Sequence, residues 1–250
     1  MFFNFDKVKK YILYFLMYFF MTGVVVLFYF AISKRYMLTT SGNICLADFI
    51  DGFATTSFSN IIVIPFSVLF INVLSNLHCS NFNYYLRMYS RTRIIVSKIL
   101  KDIIFSVITS LLIVCASIFV GGLMTNTFMN WNSTSSYYYI AMHFTFDADF
   151  IIVALVMFFE LFITFCFYSI LMCMLEQLLN TVISFIITLV LCGTNIIYMI
   201  VYYLTATAEV IRAEYMSDVN KILCFGVYPV ITIILVVLSI KLIKRKDLLT

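Results

Sequence analysis

Ionisable side chains are scarce in this chain, so each one that falls in apolar surroundings is a candidate for chemistry. Of 250 residues, 16 are Lys or Arg and 12 are Asp or Glu. One acid, Glu160, lies about ten residues inside the apolar run 150–175. A charge at such a depth costs roughly 2.5 kcal/mol or more. Glu160 must therefore face other helices, take a polar partner or be protonated, and Asn72, Thr164 and Asn195 are the expected neighbours. One reading is a proton- or substrate-binding carboxylate, and the other is a hydrogen bond between helices. No intramembrane Lys, Arg or His accompanies it, which argues against a proton relay.

The second group is basic. Residues 78–102 read HCSNFNYYLRMYSRTRIIVSKILKD and hold Arg87, Arg91, Arg93, Lys98 and Lys101 among aromatic and aliphatic residues. Leu86, Ile94, Ile95 and Ile99 can share one helical side while Arg87, Arg91, Lys98 and Lys101 project elsewhere. This is either an ordinary basic loop beside the membrane or a short helix along it that docks onto a cytoplasmic protein. Arg and Tyr suit docking, because both bury apolar surface and keep a polar tip.

Familiar catalytic patterns are missing. There is no GxxxxGK[ST], so the chain cannot hydrolyse ATP by the P-loop route, and there is no HExxH or GxSxG. His78 and His143 fall on opposite sides of the expected membrane and cannot share a metal. No catalytic residue, metal site or cofactor is expected in this chain. Its seven cysteines form no CxxC pair. Most lie in apolar runs, where Cys is a small apolar residue. Cys45 and Cys224 fall on one side, which leaves a disulfide between them open.

The elements that carry these residues follow from composition. The chain is 64% hydrophobic and 11% charged, against roughly half and a quarter in a soluble domain. That excludes a soluble globular enzyme and a disordered chain. Two prolines and seven glycines favour helices over a barrel with many turns. A membrane-crossing helix needs roughly 20 apolar residues. Six runs qualify: 11–32, 61–77 with Pro65 in it, 103–124, 150–175, 182–204 and 222–240. The first is too long for a signal-peptide core and is read as a retained span. The expectation is an all-α integral membrane protein, one transmembrane domain over 1–250.

Orientation follows the basic residues. With the N-terminus inside, twelve of the sixteen basic residues are cytoplasmic and only Lys34, Arg35, Arg212 and Lys221 are outside. Both termini are then cytoplasmic. Anionic lipid headgroups account for the net charge of +4, so no nucleic-acid partner is needed. Outside, 33–60 reads as a polar loop. The stretch 125–149 holds Trp131 and Tyr137 to Tyr139, read as an interfacial aromatic belt or, alternatively, as a surface that touches a substrate or partner. Ile211, Tyr215 and Val219 recur at four-residue spacing, which predicts an amphipathic outer helix over 205–221. Gly226 and Pro229 are expected to kink the last span. Inside, a tight turn joins the fourth and fifth spans near Glu176 to Asn180.

Six spans with both ends inside, a basic segment after the second and an amphipathic outer helix before the sixth resemble a type-2 ABC transporter permease of the small bacterial, Gram-positive kind. The local likeness is in Arg87-Met88-Tyr89-Ser90-Arg91, followed by Lys98-Ile99-Leu100, and in the tail Lys244-Arg245-Lys246-Asp247-Leu248-Leu249. The resemblance implies a multi-pass subunit of a bacterial plasma membrane. It would pair with a second, identical or related permease and with separate P-loop ATPase subunits that carry ATP and Mg. Tyr84, Arg87, Tyr89, Ser90, Arg91, Arg93 and Lys98 would form the coupling helix in a cleft of the ATPase. Asn72 and Asn195 would face the cargo path, with Glu160 a third candidate. The cargo would be hydrophobic or amphipathic (a peptide, drug or lipid-like molecule) and would move outward. The competing expectation is a bacteriocin-immunity or sensor protein that binds a ligand through its outer loops without transport.

Overall fold

A computed structural model describes residues 5–37, 43–55, 62–76, 91–143, 145–147, 149–194 and 223–248. The described residues are helical apart from loops and one isolated bridge between Asn43 and Ser136. In order the helices are α1 (Phe5–Met37), α2 (Leu46–Thr55), α3 (Ile64–Asn76), α4 (Arg91–Met124), α5 (Tyr137–Met142), α6 (Phe150–Leu178), α7 (Thr181–Thr194) and α8 (Tyr228–Leu248), the last preceded by a π-helical turn over Leu223–Val227. Among the described residues, four stretches are long and apolar enough to cross a membrane: Tyr11–Ile32, Thr92–Met124, Phe150–Leu178 and Phe225–Ile243. The expected runs 61–77 and 182–204 overlap the shorter apolar helices Ile64–Asn76 and Thr181–Cys192. At about 1.5 Å per residue, the 13 residues of α3 reach about 20 Å, short of a hydrocarbon core of about 30 Å. The expected outer helix over 205–221 lies outside the described residues.

The basic stretch is no separate helix from Arg91 onward. Residues 91–102 and the expected third span form one unbroken helix of 34 residues. Nothing between them breaks it, since residues 91–120 contain neither Gly nor Pro. Both prolines of the chain stand in the first turn of a helix, Pro65 in α3 and Pro229 in α8. Each follows residues in π-helical conformation, 62–63 before Pro65 and Leu223–Val227 before Pro229, the wider turn found where the i→i−4 ladder is interrupted.

Two compact units are distinguished, residues 1–58 with 110–158, and residues 59–109 with 159–250. In the first, α1 buries Tyr18, Thr22, Val26, Tyr29 and Phe30 along one stripe. Leu13, Leu16, Phe20, Val24 and Leu27 are exposed, a face suited to lipid. Phe30 meets Phe49 of α2 at 4.8 Å between ring centroids.

The expected polar loop 33–60 contains α2, whose Leu46, Phe49 and Ile50 form a fully buried i, i+3, i+4 stripe. The first two N–H groups of α2 are satisfied by another loop: Leu46 N–H donates to the Thr127 carbonyl (3.0 Å) and Ala47 N–H to that of Phe128 (3.1 Å). Asp48 closes the cap, its Oδ2 accepting from the Cys45 N–H at 2.9 Å and its Oδ1 from Trp131 Nε1 at 2.7 Å.

Trp131 is 1% exposed and stacks on Tyr138 at 4.3 Å. It is the core of a folded cap and not part of an interfacial belt. The physical reason is Asp48, which gives the buried indole N–H an acceptor. Ser136 caps α5 through the Tyr139 N–H, and His143 ends it with φ 62°. Cys45 is a free, buried thiol with no disulfide. Burial pushes it up to about 12, and the neighbouring Asp48 carboxylate adds to the rise.

Candidate functional site

In the second unit the charged residues gather where three helices meet. The inward face of α4 repeats at three- and four-residue steps through Ile95, Ile99, Asp102, Ser106 and Thr109, all buried. That spacing keeps one stripe of a helix facing its neighbours. It carries Asp102 inward beside the two isoleucines and brings Lys98 to the edge of the same stripe. Residues Asn72 and Ser75 come from the last turns of α3, and Cys173 and Glu176 from the last turns of α6.

Glu176 is the hub. Its Oε2 takes the ammonium of Lys98 in an ion pair. Its Oε1 accepts from Asn72 Nδ2 at 3.0 Å. Asn72 is held in turn, because Asn76 Nδ2 donates to its Oδ1 at 3.1 Å and Ser75 Oγ to its backbone carbonyl at 3.1 Å. Asp102, only 1% exposed, lies one turn beyond Lys98, where Ser75, Lys98, Lys101 and Glu176 are the groups around its carboxyl. Cys173 also faces Lys98.

Both members of the pair are 12% exposed. That is too dry for the near-zero worth of a solvated surface pair. Such a pair balances desolvation against attraction, and removing one partner alone costs about 3–5 kcal/mol. Chemically the cluster is a latch. The Lys98–Glu176 ion pair joins α4 to α6, and the Asn72–Glu176 hydrogen bond joins α3 to α6. Among the described residues no group of three or more His, Cys, Asp or Glu could hold a metal ion.

The candidate residues read from sequence divide as follows. Tyr84, Arg87, Tyr89, Ser90 and Asn195 lie outside the described residues. Arg91 is the first residue of α4, and Arg93 in the same turn is exposed. Lys98 turns inward to Glu176. Asn72 meets Glu176 and not Glu160, which lies 16 residues earlier in α6, about 24 Å along the helix. Glu160 is buried, 5% exposed, as is Thr164 one turn on. Glu176 and Asp102 are the two residues that sequence reasoning missed. The i, i+4 spacing of Lys98 and Asp102 was a usable signal. Glu176 carried none, since it reads as the start of a turn. Comparison with family models, with curated proteins and with solved structures finds no match.

Proposed function

We propose that the chain is the permease subunit of an ATP-driven ABC exporter in a bacterial plasma membrane. In this reading six helices span the bilayer and both termini are cytoplasmic. The α3 and α7 regions supply the second and fifth spans. The basic segment 84–98 docks into a separate ATPase that supplies ATP and Mg, and a second permease completes the pathway. The cargo is hydrophobic or amphipathic.

The observation that supports it best is the continuity of α4. Arg91 stands at the start of the helix that carries the apolar stretch through Met124. Lys98, Glu176 and Asn72 tie the base of that helix to two other helices. A closing motion of a bound ATPase would thus be passed to three helices at once, which is what shifting an inward–outward equilibrium requires.

Pull-down of the tagged chain from mild detergent tests this directly. A stoichiometric soluble protein with a P-loop is the expected companion. Arg87→Glu with Arg91→Glu should leave insertion intact and abolish the coupled ATPase activity. If the chain comes down alone from a complex shown to survive extraction, the exporter reading falls. The second reading, an immunity or sensor protein without transport, would then lead. It draws support from the folded cap of α2, α5 and the Trp131 loop, which is more ordered than a plain connection needs to be.

A further inference from the structure

A cleft of about 440 Å³ opens in the cap of the first unit. Among the residues that line it, Lys34 is the one with a charge, and no carboxylate or arginine is present. The Lys34 ammonium is held in place by the last carbonyl of α4, Met124 O, at 2.7 Å. An ammonium has three donors. Among the described residues the other two are not taken up. Side-chain amides and hydroxyls line the same cleft, including Asn126, Asn130, Ser133 and Ser135, with Phe49 as an apolar wall. Asn130 donates from Nδ2 to the Asn43 carbonyl at 2.8 Å. Its Oδ1 is buried and has no partner among the described residues. A buried acceptor left open in a native fold asks for a donor, from water or from a ligand.

We propose that this cleft binds the end of a peptide, with a free carboxylate on Lys34 and peptide N–H groups on the asparagine oxygens. One lysine balances one carboxylate. Phosphate groups, lipid headgroups included, are usually met by arginine forks or several cations, and the described lining residues offer neither. Asparagine amides both donate and accept, as peptide groups do. The volume falls in the lower part of the roughly 300–1,000 Å³ range of small-ligand sites, which suits a terminal residue or two. The site needs no ATPase, so it stands or falls separately from the exporter reading.

The test uses the purified full chain in detergent. The chain has a single Trp, and Trp131 lies in the same cap, so its emission reports the site. The probe is a mixture of random-sequence tripeptides with free C-terminal carboxylates, titrated against the same mixture amidated at the C-terminus. The acid form should give a saturable change, with the amide at least about tenfold weaker, as expected for one charge-assisted hydrogen bond. Lys34→Gln should lose about the same factor, and Lys34→Arg should retain binding. Asn126→Asp, which leaves the Met124 contact alone, should also weaken the acid form about tenfold by like-charge repulsion. The unliganded emission of each variant should match the parent. Equal responses to acid and amide, no saturable response, or a response that requires added phosphatidylglycerol would each overturn the proposal.

Discussion

Glu176 shows why a buried charge matters more than an exposed one. With Lys98 and Asn72 on its two oxygens and 12% of its side chain exposed, it has little water to fall back on. Lys98→Ala should lower unfolding stability in detergent by about 3 kcal/mol or more, because it strands the glutamate. Lys98→Met with Glu176→Leu should recover most of that loss. A double-mutant cycle by thermal denaturation measures the coupling, and simple additivity would mean the latch does not exist. Cys45 gives a second test. Its folded thiol titrates at about 12 against an ordinary 9.0, so the folded state holds the proton more tightly than the unfolded state. Its contribution to stability is therefore complete below about pH 9 and declines as the pH rises from there toward about 12. Denaturation midpoints across that window should fall in the parent by more than in Cys45→Ala. Equal slopes would remove Cys45 as the cause. Neither environment was legible in the sequence. Lys98 reads as one more basic residue in a docking segment until α3 and α6 are packed beside it.

Among elements, α4 is the most informative. Its apolar run and its basic run have no breaker between them, so their fusion into one helix could have been read from the sequence. A change of character from basic to apolar was read instead as a change of element. Near its far end, α4 approaches α2 closely at Gly121, where a Cβ would stand 2.1 Å from Leu46 Cδ1 and 3.0 Å from Phe30 Cε2. Leu46 and Phe30 are fully buried and have little room to give. Gly121→Ala should therefore destabilise the chain by about 1–3 kcal/mol through overpacking. At Gly122 a Cβ meets nothing within 4 Å, and Gly122→Ala should be neutral or gain up to about 1 kcal/mol from helix propensity. Thermal melts of the two variants check this, and a reversed order would contradict the packing. The helix α2 itself was missed. Its ten residues sit among Gly, Ser and Thr, and its buried stripe is too short to stand out from a polar loop.

For the molecule as a whole, the charge bias makes a topological prediction. Single cysteines introduced at Ser133 in the cap and at Asn180 in the α6–α7 turn should react with impermeant maleimide from opposite faces of the membrane. Ser133 is expected to be labelled in intact cells and Asn180 only after lysis. Labelling of both from one side would overturn the orientation. The class of the protein was readable from composition alone. A chain 64% hydrophobic and 11% charged can bury its surface only in a bilayer, and hydrogen bonding of the backbone there demands helices. Four long apolar helices among the described residues are the consequence. Partners across the chain were not readable. Trp131 finds Asp48, and Lys98 finds Glu176, across separations of 83 and 78 residues. Periodicity reports which side of a helix is apolar but not which helix lies against it. That choice is made by packing, where each buried N–H or charge must meet a particular partner or lose its place in the fold.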